Sequence, residues 1–284
     1  MEDFQEVATG VWVARHDWLD VNVTAVLGDR GLLLVDTLGS VPAATTMLER
    51  LRRVSSAPLL AVVNTHAHWD HVLGNAAARA DSPDVRLLAH EEALAEVPAA
   101  VARARQDDSD DGPTGARRAE VAVSPVVPPE ETFSSVKALD LGDRYVELVH
   151  CGRGHTGGDA VVVVPDADVL VAGDLVEQGS PPAYGVDCWP LDWPGTLETL
   201  GQMTTPGTVV VPGHGATVDQ AFVQEQHHSV GVVAQTILDL AGNGAGVDDA
   251  LAHGDWPFPA EALVHAVRRG YEHMPRTARR LPMA

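Results

Sequence analysis

The apolar run at 59–63 leads straight into N-T-H-A-H-W-D-H, residues 64–71, and this junction constrains the chain more than any other stretch. His66, His68, Asp70 and His71 lie within six residues. Neutral imidazole and carboxylate are the ligands that suit zinc and similar divalent metals. Donors this dense at the carboxyl end of a strand predict metal chemistry on the rim of a sheet.

Four more residues extend the pattern. His155 lies in G-R-G-H-T-G-G-D (152–159), Asp174 in V-A-G-D-L (171–175), His214 in V-P-G-H-G (211–215) and Asp36 in L-V-D-T (34–37). Each follows an apolar strand. Strand ends converge on one rim of a sheet, so residues distant in sequence can meet there. Glycine lets the backbone turn tightly beside such a site.

The elements around these motifs read as two β-rich halves. Strands are predicted at 11–15, 23–27, 32–35, 59–63 and 85–89, and again at 138–141, 145–149, 160–164, 169–172 and 208–211. Gly28-Asp29-Arg30-Gly31 is a hairpin signal, and Asp166-Ala-Asp168 a turn. Helices are predicted at 42–51, capped by Ser40, and at 75–80, 91–105 and 196–203. Residues 106–115 are polar and acidic and read as an exposed loop. From Asp219 the tail reads as helical, at 220–241 and 260–273. The division expected is a domain over 1–218 with a helical extension, 219–284, packed on it. Two β-rich halves with flanking helices predict an α/β fold with a sheet-on-sheet core covered by helices.

Composition narrows the function. The formal charge of −21, with Lys137 the sole lysine, disfavours phosphate backbones and so nucleic acid. No apolar stretch is long enough to span a membrane. The first residues, M-E-D-F-Q-E, lack a signal-peptide pattern, which gives a cytoplasmic location as the expectation. Cys151 and Cys188 are too few for a disulfide framework and read as reduced thiols.

The ordered set H-x-H-x-D-H, His, Asp, His resembles the metallo-β-lactamase superfamily over about residues 11–215. The resemblance implies a four-layer αβ/βα sandwich with a helical C-terminal tail, and two Zn²⁺ per chain, with iron or manganese as alternatives. His66, His68 and His155 would hold one metal, and Asp70, His71 and His214 the other. Asp174 would bridge them. Asp36 would orient the metal-binding segment by hydrogen bonds rather than ligate. Two divalent cations against two carboxylates and a bridging hydroxide leave a net positive cluster that can polarise a carbonyl or phosphoryl oxygen. Asp70 would also relay a proton to the leaving group.

An aspartate at position 174 is similar to the glyoxalase II, lactonase and broad hydrolase branches, including a group associated with quinoprotein oxidation; many β-lactamases of this fold carry Cys or Ser there. The expected reaction is attack of metal-bound hydroxide on a small ester, thioester, lactone or amide. Alternatives are a β-lactamase, a persulfide-dioxygenase-like enzyme using His66, His155 and Asp174 around one iron, and a binding protein with a vestigial site. Arg268, Arg269, Arg276, Arg279 and Arg280 in the tail match no glutathione contacts of the glyoxalase branch. The expected partner is a small-molecule substrate, with a homodimer through the tail as a further expectation.

Residues 177–194, E-Q-G-S-P-P-A-Y-G-V-D-C-W-P-L-D-W-P, follow Asp174 and read as a stiff specificity loop. Tyr184 and Trp189 are candidates to wall an apolar pocket, with Trp69 opposite; Trp193 reads as packing. His90, His150, His227, His228, His253, His265 and His273 read as surface or hydrogen-bonded residues rather than ligands.

Overall fold

The computed structural model describes residues 3–107 and 114–274. The first half contains β1 (Gln5–Ala8), β2 (Val11–Arg15), β3 (Asn22–Gly28), β4 (Gly31–Val35), α1 (Val41–Val54), β5 (Leu59–Val63), α2 (Trp69–Val72), α3 (Asn75–Asp81), β6 (Arg86–His90), α4 (Glu91–Gln106), α5 (Gly115–Val123) and β7 (Glu131–Phe133). The second half contains β8 (Val136–Asp140), β9 (Tyr145–Val149), β10 (Val161–Val164), β11 (Val169–Glu177), α6 (Trp193–Gln202), β12 (Val209–His214), α7 (Gln220–Gly242), α8 (Val247–His253) and α9 (Val264–His273).

Strands β1 to β7 form one sheet in sequence order, and a second sheet runs β12-β11-β10-β9-β8. Alternation along the strands decides how they stack. Val11, Val13, Leu33 and Val63 of the first sheet face Leu148, Val162, Val171 and Val211 of the second in one buried cluster. The opposite faces are covered by helices. Met47, Leu48 and Leu51 of α1 pack on Leu32, Leu34 and Val62. Trp193 and Leu197 of α6, Val230 and Ile237 of α7, and Val267 of α9 pack on Leu170, Ala172 and Val210. The result is the expected αβ/βα sandwich, with α7 to α9 sharing one apolar core with the second sheet.

Local chemistry sets several of these boundaries. The Ser40 hydroxyl accepts the Ala43 N–H at the start of α1 (3.2 Å), which satisfies a donor that the first turn leaves unpaired. Gly28 and Gly31 stand opposite each other across the β3–β4 hairpin. Strand β11 runs five residues beyond its predicted end at 172, because parallel pairing with β12 continues to Glu177 opposite His214. Strands β1 and β7 and helices α2, α5 and α8 lack a legible pattern in the sequence; all are short, and β1 is largely solvent-facing. Most of the predicted 106–115 loop, residues 108–113, lies outside the described residues, as do Arg276, Arg279 and Arg280.

Trp193 is fully buried and its indole N–H donates to the Leu175 carbonyl at 3.2 Å. Trp193→Ala is expected to cost about 3–5 kcal/mol, read as a lower denaturation midpoint. A midpoint unchanged from wild type would contradict its role in joining α6 to β11.

Candidate metal centre

The chain turns sharply after β5, and the turn is pinned from within. Asn64 Nδ2 donates to the His71 carbonyl (2.9 Å), and Asn75 Nδ2 donates back to Asn64 Oδ1 (2.7 Å). His66, His68, Asp70 and His71 therefore project from one short, fixed segment. The loop after β9 supplies His155, and β11 and β12 supply Asp174 and His214. The first sheet is tied to this edge of the second by Asn22, whose Nδ2 donates to the carbonyls of Pro212 (2.9 Å) and Gly215 (2.8 Å).

The seven side chains meet in two adjoining groups. His66, His68, His155 and Asp174 form one, and Asp70, His71 and His214 the other; within each group the donor atoms lie within 4.8 Å of one another. Asp174 touches both. Its Oδ2 is 3.5 Å from His66 Nε2, 3.3 Å from His155 Nε2 and 3.3 Å from His214 Nε2, and its Oδ1 is 3.3 Å from His71 Nε2. Asp70 Oδ2 is 3.5 Å from His71 Nε2 and 3.4 Å from His214 Nε2.

The remaining ring nitrogens are held from behind. His71 Nδ1 faces Asp36 Oδ2 at 2.8 Å. Asp36 also accepts the Thr65 N–H and hydroxyl (both 2.8 Å), and Thr65 Oγ1 faces His66 Nδ1 at 3.0 Å. One buried carboxylate thus orients two rings, from a backbone with φ of +64°. His155 Nδ1 faces the Ala183 carbonyl (2.9 Å) and His214 Nδ1 the Leu19 carbonyl (2.7 Å). His68 is reversed: its Nδ1 points to His155 Nε2 (2.8 Å) and its Nε2 to both oxygens of Asp187 (3.2 and 3.3 Å), which is ion-paired with Arg103. Asp187 sits inside the predicted specificity loop; only its distance from His68 in the fold reveals its part.

This donor set fits divalent cations. His66 Nε2 and Asp174 Oδ1 are buried without a hydrogen-bond partner, an expensive arrangement that coordination would relieve. The electrostatics agree. Burial alone would raise the Asp174 pKa, but His71, His214, His66 and His155 hold it well below the carboxylate range. Burial pulls His214 down, yet Asp174 and Asp70 outweigh it and lift it to about 10; His71 is lifted well above its ordinary value by the same two carboxylates and Asp36. In the opposite sense, burial outweighs Asp174 at His155 and takes it to about 4. The carboxylates demand positive charge, and protons on His71 and His214 supply it when no metal does. Metal binding must then expel those protons.

A pH dependence follows. A histidine whose folded pKa is about 10 against 6.5 unfolded contributes stability that is complete below pH 6.5 and lost as pH rises through 10. Chelator-treated protein is expected to lose thermal stability between pH 7 and 10, and metal-loaded protein to lose less. Equal slopes in a thermal-shift series would contradict this assignment.

The cluster is reached through its less buried members. His68 and His214 are each 20% exposed and Asp70 12%, whereas the others are buried. They line a cleft of about 760 Å³ whose walls include Leu19, Trp69, Pro181, Pro182 and Tyr184. The tail closes the far side with Glu261, Val264 and His265. The sequence reads His265 as a surface or hydrogen-bonded residue; its position on the cleft wall depends on the packing of α9. Tyr184 lines the cleft but is mostly buried against Trp193 (4.9 Å). Trp189 is a correction. It does not line the cleft, because Arg153 lies over its ring at 3.7 Å and His273 stacks on it at 4.2 Å. Both cysteines are free thiols, and burial pushes Cys151 up to about 12, unsuited to a nucleophile.

Comparison with known proteins agrees with this geometry. The sequence profile of the Metallo-beta-lactamase superfamily matches residues 16–225. The Metallo-beta-lactamase type 2 of Bacillus cereus is 25% identical over 196 residues, 68% of this chain and 66% of that protein, so the chain spans just under two thirds of its length. Among solved structures, a metallo-beta-lactamase from Pontibacter korlensis superposes with a TM-score of 0.65 at 20% identity, covering 81% of this chain and 98% of that one. The stereoselective inverting sec-alkylsulfatase of a Pseudomonas species gives 0.73 at 17% identity, covering 96% of this chain and 50% of that one. These two likenesses show the fold. With the profile matched across most of its length, the chain belongs to the metallo-beta-lactamase superfamily.

Proposed function

We propose that this protein is a hydrolase working with two divalent cations, zinc in first place, on a small ester, thioester, lactone or amide. One observation carries the reading: the Asp174 carboxylate stands within 3.5 Å of ring nitrogens from both donor groups. His66, His68 and His155 would hold one ion and Asp70, His71 and His214 the other, with Asp174 shared. When bound, the pair supplies Lewis acidity and brings the pKa of coordinated water toward neutrality.

The chain's own residues do the rest. Asp36, Thr65 and the carbonyls of Leu19 and Ala183 fix the rings, so little reorganisation is needed during reaction. Trp69, Leu19 and the Pro181–Pro182 segment exclude water from one side of the bound substrate. Asp70 Oδ2 lies on the open side of the cluster and is placed to pass a proton to the leaving group. The reading with a single iron, using His66, His155 and Asp174, leaves the convergence of Asp70, His71 and His214 without a role.

Metal quantification with an activity panel tests this. The expected result is two zinc per chain and chelator-sensitive hydrolysis of thioesters or lactones, with β-lactams and phosphodiesters slower. One iron per chain with oxygen consumption would overturn it.

No helix among the described residues is long and apolar enough to cross a membrane, so nothing in them calls for a lipid-embedded substrate path.

A further inference from the structure

The cleft beside the cluster says something about charge, and the inference rests on the hydrolase reading above. Among the described residues its lining contains no lysine or arginine. A second hollow of about 700 Å³ adjoins it, sharing His68, Trp69, Asp70, Gly185 and His265. That hollow contains one arginine, Arg103, and it is already ion-paired with Asp187. The fixed charges that face the metal-side cleft beyond the ligands are acidic. Asp20 is paired with Arg15, and Glu261 stands exposed on the wall formed by the tail. Glu177 also lines the cleft, buried, with its Oε1 accepting the Ala183 N–H at 3.1 Å, and is not counted among these charges. His265 also lines that wall.

A carboxylate, sulfate or phosphate taken from water into a protein cleft needs donors that replace its hydration, most often arginine or lysine. Here an anionic group placed away from the reacting carbonyl would meet Leu19, Pro181, Pro182 and Val264, the uncharged side chains of Gln178 and Ser180, His265, or the Glu261 carboxylate, with no arginine or lysine among them. The whole-chain charge of −21 adds a field that repels anions during approach. Cations held by His66, His68, His155, Asp174, Asp70, His71 and His214 would attract the scissile group itself, which leaves the remainder of the substrate to this wall.

We propose that the cleft selects acyl substrates whose non-reacting portion carries no negative charge, uncharged or amine-bearing compounds, and discriminates against those bearing a carboxylate, sulfate or phosphate there. Glu261 is the specificity-determining residue for this preference.

The test uses metal-loaded, full-length protein and three p-nitrophenyl esters with a common leaving group: the heptanoate, the 6-trimethylammoniohexanoate and the adipate monoester. The first two are expected to exceed the adipate in kcat/KM by about tenfold, with the gap narrowing in high salt. Glu261→Lys is expected to shrink that gap by at least about threefold. The hydroxamic acids of the same three acyl groups, titrated calorimetrically, report the same order as dissociation constants without requiring turnover. An adipate derivative that reacts or binds as well as the others overturns the charge preference. Hydroxamates that bind in the expected order to a protein that hydrolyses none of the esters would instead count against the hydrolase reading and leave the charge preference standing.

Discussion

Asp174→Ala is expected to lower hydrolytic turnover by several orders of magnitude and to reduce the bound metal, while the far-ultraviolet circular dichroism stays that of the wild type. The carboxylate touches both donor sets, through four histidines at 3.3–3.5 Å. Its removal leaves those rings with no shared anion between them. It should also release the protons the anion holds on His71 and His214, since Asp174 is the leading cause that lifts both. Asp174→Asn separates charge from shape: the amide keeps the volume, so turnover as low as that of alanine would assign the effect to charge. Activity within about threefold of wild type in either variant would contradict a bridging role.

Gly213→Ala is expected to disturb the centre almost as severely, although Gly213 ligates nothing. A Cβ at this position would overlap Asp174 Oδ1 and lie 2.9 Å from the Asp174 backbone nitrogen. Strands β11 and β12 pair in parallel with an irregular register here, which presses the two backbones together just where the carboxylate emerges. The added methyl must push Asp174 aside or open the strand pair. Metal affinity should fall about 10- to 100-fold, measured by competition with a chromogenic chelator. Unchanged affinity would mean that the strand pair yields without moving the carboxylate.

The glycine of V-P-G-H-G could be read in the sequence as a turn residue, but its function is close approach. The difference illustrates what was legible. The seven donors stand out because their residue types are rare at strand ends and their spacing is dense, so convergence could be anticipated without knowing the packing. Strands β2, β5 and β9 were equally plain, since each is a short β-branched or apolar run with clear ends. The walls were another matter. Trp189 and Tyr184 lie five residues apart in one proline-rich loop, and nothing local says that the first stacks on His273 while the second faces the cleft. Asp187 carries no signal apart from the histidine it meets across 119 positions. Glu261 and His265 lie some fifty residues beyond the last motif, and their place at the site depends on α9 packing against the same core as Trp193.

The closing of the cleft by the tail separates two kinds of inheritance in this chain. The donors sit on strand ends locked between two sheets, where nearly any change is penalised. Glu261 and His265, on the far wall of the cleft, sit just before and at the start of α9, outside the two sheets. On the proposed reading, divergence at 260–265 would retune which molecules are accepted while the donor set is passed on unaltered.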